Sequence, residues 1–138
     1  MANSGILDPL RLLNDGLPVK FLFMEVDVLE VDGLLLNHEA VVINEVKNSL
    51  YHSPSLEQVQ SLQCRGTTLL GLLYCIAATS DDYETEPEDV KKELVQWLTE
   101  TQKPYDVALV MSGYDFSPAG EGLCRDSSIH VVRVGGST

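Results

Sequence analysis

The stretch Phe21–Leu50, FLFMEVDVLEVDGLLLNHEAVVINEVKNSL, constrains the chain most, because β-strand patterning and clustered ionisable side chains coincide there and nowhere else. Two β-rich runs, Phe21–Val31 and Val41–Lys47, flank a segment carrying the turn-formers Asp32-Gly33 and Asn37-His38. That is the pattern of a hairpin with a long or bulged connection. Side chains alternate along a strand, so Met24, Val26 and Val28 share one face, Glu25, Asp27 and Leu29 the other, and Ile43, Glu45 and Lys47 share a face of the second run. An antiparallel pairing with a loop of about nine residues near Leu36 sets Val31 against Val41, Asp27 against Glu45 and Glu25 against Lys47. Directly opposed Cβ atoms lie roughly 4.5–5.5 Å apart, close enough for two carboxylates to hold one divalent cation.

Facing acids repel, and one of them rises in pKa unless a cation or a proton resolves the conflict. Mg2+ suits such a pair: it takes one or two carboxylates, keeps several waters and completes its shell from phosphate. Lys47, two positions after Glu45, would stand beside the ion, where an ammonium can orient an attacking water or offset charge growing on a phosphate. Two other readings of the same residues stay open. The hairpin can be amphipathic with a solvated acidic face and a single Glu25–Lys47 cross-strand pair, and a tight turn at Asp32-Gly33 would pair different residues and separate Asp27 from Glu45.

Asp27, followed eighteen residues later by Glu45-Val46-Lys47 on a second strand, resembles the signature of the PD-(D/E)XK nuclease superfamily. MEVDVLEVDG is similar to that family's strand bearing the metal-binding aspartate, VVINEVKNSL resembles its acid-any-lysine strand, and Ser53–Leu62 matches the helix expected next. The resemblance implies a restriction-endonuclease-like fold and Mg2+, with Mn2+ able to replace it, held by Asp27, Glu45 and the carbonyl of Val46. It implies Lys47 as the group that positions the hydrolytic water, and nucleic acid as substrate, DNA ahead of RNA. Glu25 is a supporting candidate, either replacing an acid from the family's first helix or pairing with Lys47. Gln58 can contact phosphate or a metal-bound water, or simply face solvent. The front of the chain departs from the pattern: its helix would be abbreviated, it lacks a Glu, and it leaves almost no room for a separate first strand, with Asp8 or Asp15 as substitutes.

A chain of 138 residues, 44% hydrophobic and 22% charged, suits one globular domain able to bury a core. Its parts are a short N-terminal segment (1–18), the strand pair with the following helix (20–62), and the remaining helices and strands (63–138). No apolar run is long enough for a bilayer and no signal-peptide pattern opens the chain, so an intracellular setting, cytoplasm or nucleus, is expected. Cys64, Cys75 and Cys124 are odd in number and widely spaced, which predicts buried thiols and no disulfide framework, and with His38, His52 and His130 scattered no zinc spacing arises. The net charge of −12 runs against simple nucleic-acid affinity, which shows as a basic patch. Binding to nucleic acid would then be weak or need a partner. A rival function follows from the same balance: a nuclease-fold module that no longer cuts and presents its acidic surface to a basic protein.

Elsewhere the patterning predicts a short helix within Met1–Asn14. Ser53 or Ser55 caps a helix with Leu56, Val59 and Leu62 on one face, and Gly66 loosens or kinks it before Thr67–Thr79, which is apolar nearly all round and reads as a buried helix or else a core strand. Asp81–Glu88 is expected to be a flexible connection. A helix follows to about Gln102, with Val90, Leu94, Trp97 and Leu98 buried. Tyr105–Ser112 has the pattern of a strand covered on both faces, Ser117–Ser127 that of a short helix or turn, and Ile129–Val134 that of a final strand closing at Gly135-Gly136. Together these predict an α/β (α+β) domain with a central mixed sheet flanked by helices.

Overall fold

The computed structural model describes residues 10–48 and 53–134. Within them the chain runs β1 (Arg11–Leu13), β2 (Val19–Phe23), β3 (Val26–Val31), β4 (Gly33–Leu36), β5 (Val41–Val46), α1 (Leu56–Thr79), β6 (Tyr83–Glu86), α2 (Glu88–Glu100), β7 (Val107–Gly113), α3 (Pro118–Asp126) and β8 (Ile129–Arg133). Five strands form a mixed sheet in the order β1-β4-β5-β7-β8, antiparallel from β1 to β5 and parallel from β5 to β8. A second, antiparallel sheet has the order β3-β2-β6. The predicted α+β architecture, a mixed sheet flanked by helices, is present. The strand pairing in the first half of the chain is not the predicted one.

The run Phe21–Val31 is two strands. It folds back at Met24-Glu25, where φ is +47° and +73°, as a primed two-residue hairpin turn requires. Left-handed backbone costs a non-glycine residue roughly 1–2 kcal/mol, and no Gly, Asn or Asp marks the turn. Tertiary contacts hold it instead: Met24 N–H donates to Asp82 O at 3.0 Å, and the Phe23 and Tyr83 rings meet at 4.8 Å between centroids.

Asp32-Gly33, in turn, does not reverse the chain. It is a bend through which β3 of the small sheet continues into β4 of the large one. The connection to β5 is therefore the four residues Asn37–Ala40, closed by Asn37 Oδ1, which accepts the N–H groups of Glu39 and Ala40 at 2.7 Å each. Leu36 pairs with Val41 and Gly33 with Asn44. Val31 lies opposite Val19 and Asp27 opposite Leu22, so the expected pairs Val31–Val41, Asp27–Glu45 and Glu25–Lys47 do not form. Three consecutive leucines explain this register. With β4 in the ladder, Leu34 and Leu36 join Val41 and Ile43 in the main core while Leu35 packs with Val42 on the other face; each such burial is worth about 1.5–3 kcal/mol.

α1 is one unbroken helix of 24 residues, opened by a capping box in which Ser55 Oγ accepts from Gln58 N–H and Gln58 Oε1 from Ser55 N–H. Gly66 does not kink it. A Cβ there would lie 2.8 Å from Leu109 Cδ2 of β7, so the glycine serves the close approach of helix and sheet. The second half of α1 is amphipathic, not buried all round: Leu69, Leu72, Leu73 and Ile76 face the core while Thr67, Thr68, Gly71 and Cys75 are exposed.

Tyr83–Glu86, expected within a flexible connection, is strand β6, paired with β2 and with Thr85 buried. α2 buries the predicted stripe of Val90, Leu94, Trp97 and Leu98, and Trp97 Nε1 donates to Asn37 O at 2.7 Å, tying that helix to the β4–β5 turn. β7 lies between β5 and β8 as an interior strand. Residues 11–13, expected in a helix, form β1 instead; residues 1–9 of that stretch, Asp8 among them, His52 and Gly135-Gly136 lie outside the described residues. Cys124 is buried as expected, whereas Cys64 and Cys75 are exposed. Among the described residues no helix is long and apolar enough to cross a membrane.

Candidate functional site

β5 carries its apolar residues into the sheet interior and ends in two ionisable groups on the face that α1 covers. Ile43 on that face is fully buried. Alternation puts Glu45 and Lys47 next along the same face, where the first turns of α1 pass. Lys47 Nζ lies 3.2 Å from Glu45 Oε2, and Arg65 Nη2 of α1 lies 3.1 Å from Glu45 Oε1. The Glu45 and Lys47 side chains are only 13% and 14% exposed. Lys47 is anchored by its backbone: its N–H donates to Ser112 O at 2.8 Å. Its Cβ and carbonyl come within 3.3 Å of where a Cβ on Gly113 would stand. A cleft of about 300 Å3 opens here, lined by Glu45, Lys47, Glu57, Gln58, Ser61 and Arg65.

The second carboxylate at this strand end is Asp32. Continuing the β4–β5 register one step past Gly33 and Asn44 sets Asp32 against Glu45. The bend takes its backbone out of the ladder, and its side chain takes over: Asp32 Oδ2 accepts the N–H of Val46 at 3.0 Å. Oδ1 makes no hydrogen bond among the described residues. Asp32 is not part of the cleft lining; it approaches β5 from the β4 side.

The sequence-predicted residues thus divide. Glu45 and Lys47 come together, Val46 lies between them, and Gln58 reaches the same cleft while capping α1. Asp27 does not join them: it sits on the three-stranded sheet, its side chain 66% exposed and 3.5 Å from Lys20. Glu25 is exposed in the Met24-Glu25 turn, away from any pairing with Lys47. Asp15, offered as a substitute acid, is exposed in a short turn after β1. His38 and His130 are exposed. Two residues escaped sequence reasoning. Asp32 had the look of a turn residue, although the leucines after it signal a strand. Arg65 falls on the helix face of Gln58 and Ser61 by its spacing of seven and four residues, a signal that becomes visible once Gly66 is understood not to break the helix.

The donors at this strand end are oxygens, the type that hard divalent cations take. Glu45 Oε1 is sealed from solvent and receives no hydrogen bond of acceptable angle despite the nearby guanidinium, which leaves a charged oxygen with an unfilled lone pair. Among the described residues no group of three or more His, Cys, Asp or Glu converges. The Asp32 and Glu45 carboxylates and the Val46 carbonyl are oxygen donors of the kind Mg2+ accepts, and among the described residues no histidine or cysteine lines the cleft. No family model, no curated protein and no solved structure matches the chain.

Proposed function

We propose that the chain is a Mg2+-dependent nuclease of restriction-endonuclease-like fold, in the manner of the PD-(D/E)XK enzymes, whose acid pair is Asp32 and Glu45. The carrying observation is the bond from Val46 N–H to Asp32 Oδ2, because it gathers acid, acid and lysine at one strand end. Asp32 thereby takes the role the resemblance implied for Asp27. Asp32 Oδ1, Glu45 and the carbonyl of Val46 would hold the cation, Mg2+ or Mn2+. That cation supplies charge neutralisation at the phosphate and a more acidic water.

The remaining work falls to side chains of the cleft. Lys47 Nζ, fixed by Glu45 Oε2 at 3.2 Å, donates to the attacking water and so holds a lone pair toward the phosphorus. The Gln58 amide NH2 points a donor at a phosphate oxygen while its Oε1 stays engaged with Ser55 N–H. Water adds to the phosphorus of a phosphodiester and gives up a proton to solvent, the P–O bond to the leaving sugar oxygen breaks, and that oxygen takes up a proton from solvent. DNA is preferred to RNA on the resemblance alone. Linear and circular DNA and RNA incubated in Mg2+ test this: the native chain should cut, and Lys47→Ala should lose on the order of 10²–10³-fold in rate. Cleavage unchanged by that substitution removes the mechanism.

A second reading rests on charge. Of nine Lys and Arg, five, namely Arg11, Lys20, Lys47, Arg65 and Arg133, are held in ion pairs among the described residues, against a net charge of −12. Few cations remain for a nucleic-acid backbone, which favours a non-cutting module for a basic protein partner. Metal-independent stability together with absence of cleavage would select it.

A further inference from the structure

We propose that Arg65 is a built-in occupant of the cation position on Glu45, that a divalent ion enters by displacing it, and that the displaced guanidinium then binds the substrate's phosphate. The proposal rests on the metal site described above. Both oxygens of Glu45 already face a positive charge, Oε2 from Lys47 at 3.2 Å and Oε1 from Arg65 at 3.1 Å. Lys47 and a divalent ion can share the carboxylate from its two oxygens. Arg65 and the ion cannot, because both need Oε1 and repel each other at that distance.

The Arg65 contact is built to be released. Arginine binds a carboxylate strongly through two parallel N–H···O bonds, but here a single nitrogen approaches Oε1 at an angle that makes no hydrogen bond, and Nε is buried without an acceptor. The other polar contact of the guanidinium is weak, Nη2 to Ser61 Oγ at 3.5 Å. Its donors are therefore largely unspent, and their planar fork matches a phosphate. Arg65 also lines the same cleft as Gln58 and Lys47, so it meets a phosphate there without leaving α1. In a chain this acidic, a resident guanidinium 3.1 Å from Oε1 offsets the Glu45 charge and holds the side chain in place until the metal arrives.

The test is a thermal-shift titration with MgCl2 and MnCl2 on the full chain, comparing native protein with Arg65→Ala, Arg65→Lys, Arg65→Gln and Glu45→Gln. Removing one partly buried positive charge beside the ion should lower the metal concentration for half-maximal stabilisation about tenfold in Arg65→Ala and Arg65→Gln. Arg65→Lys should stay near native. Arg65→Gln keeps most of the stem and gives the same comparison if Arg65→Ala fails to fold. At saturating Mg2+, cleavage of a DNA oligonucleotide by Arg65→Gln should show a raised KM. A native metal shift that Glu45→Gln abolishes but Arg65→Ala and Arg65→Gln leave unchanged or weaken overturns the role of Arg65 and leaves the metal site standing. No metal shift in any of the proteins overturns both.

Discussion

Exchanging one aspartate charge at a time separates the two candidate acid pairs. Asp32→Asn keeps an oxygen that can accept the Val46 N–H and removes only the charge, so the 3.0 Å bond that holds the bend survives. Asp27→Asn removes one side of an ion pair with Lys20 whose Asp side chain is 66% exposed, a contact worth under about 1 kcal/mol. Neither change should unfold the protein, and their metal responses should differ. At free Mg2+ ten times the dissociation constant, a ligand that binds only the folded state adds about 1.4 kcal/mol. For a chain of this length that raises Tm by about 5 °C. Native protein and Asp27→Asn should show this shift by differential scanning fluorimetry; Asp32→Asn and Glu45→Gln should not. The reasoning is refuted if Asp27→Asn abolishes the shift, or if Asp32→Asn retains it in full.

Other substitutions probe the frame around the site. A Cβ on Gly120 would lie 2.4 Å from Pro54 Cδ and 2.9 Å from Ser117 Oγ. The proline ring cannot give way and Ser117 Oγ caps α3, so overpacking outweighs the gain in helix propensity, and Gly120→Ala should lose about 1–2 kcal/mol, seen as a lower urea midpoint at unchanged slope. Burial pushes the Cys124 thiol up, whereas Cys64 and Cys75 are exposed; a maleimide should label Cys64 and Cys75 in the folded protein and Cys124 only on unfolding. Hydrogen bonding from Arg133 holds Glu121 below the ordinary carboxylate range, so its link from α3 to β8 is complete at neutral pH and lost as the pH falls through the folded-state value. Glu121→Gln should accordingly be less stable than native protein at pH 7 and converge with it in acid, and equal stability at both would remove that link.

What the amino-acid sequence by itself determined is what depends on neighbours along the chain. The stripe of α2, the interior strand β7, the cap at Ser55 and the shared face of Ile43, Glu45 and Lys47 all follow from period, β-branching or a local hydrogen bond. What the tertiary structure decided is which strand lies beside which. The Met24-Glu25 turn carries none of the residues that favour a left-handed backbone, and it is held by Asp82 and Tyr83 from a segment nearly sixty residues away. Asp32 has the local look of a turn and becomes a bend between two sheets because Leu34 and Leu36 are buried, and Leu35 half-buried, with β4 inside the ladder. A slip in strand register changes every cross-strand partner at once. The proposed acid pair therefore takes Asp32 in place of Asp27, while Glu45 and Lys47, placed by alternation along one strand, lie where local pattern put them.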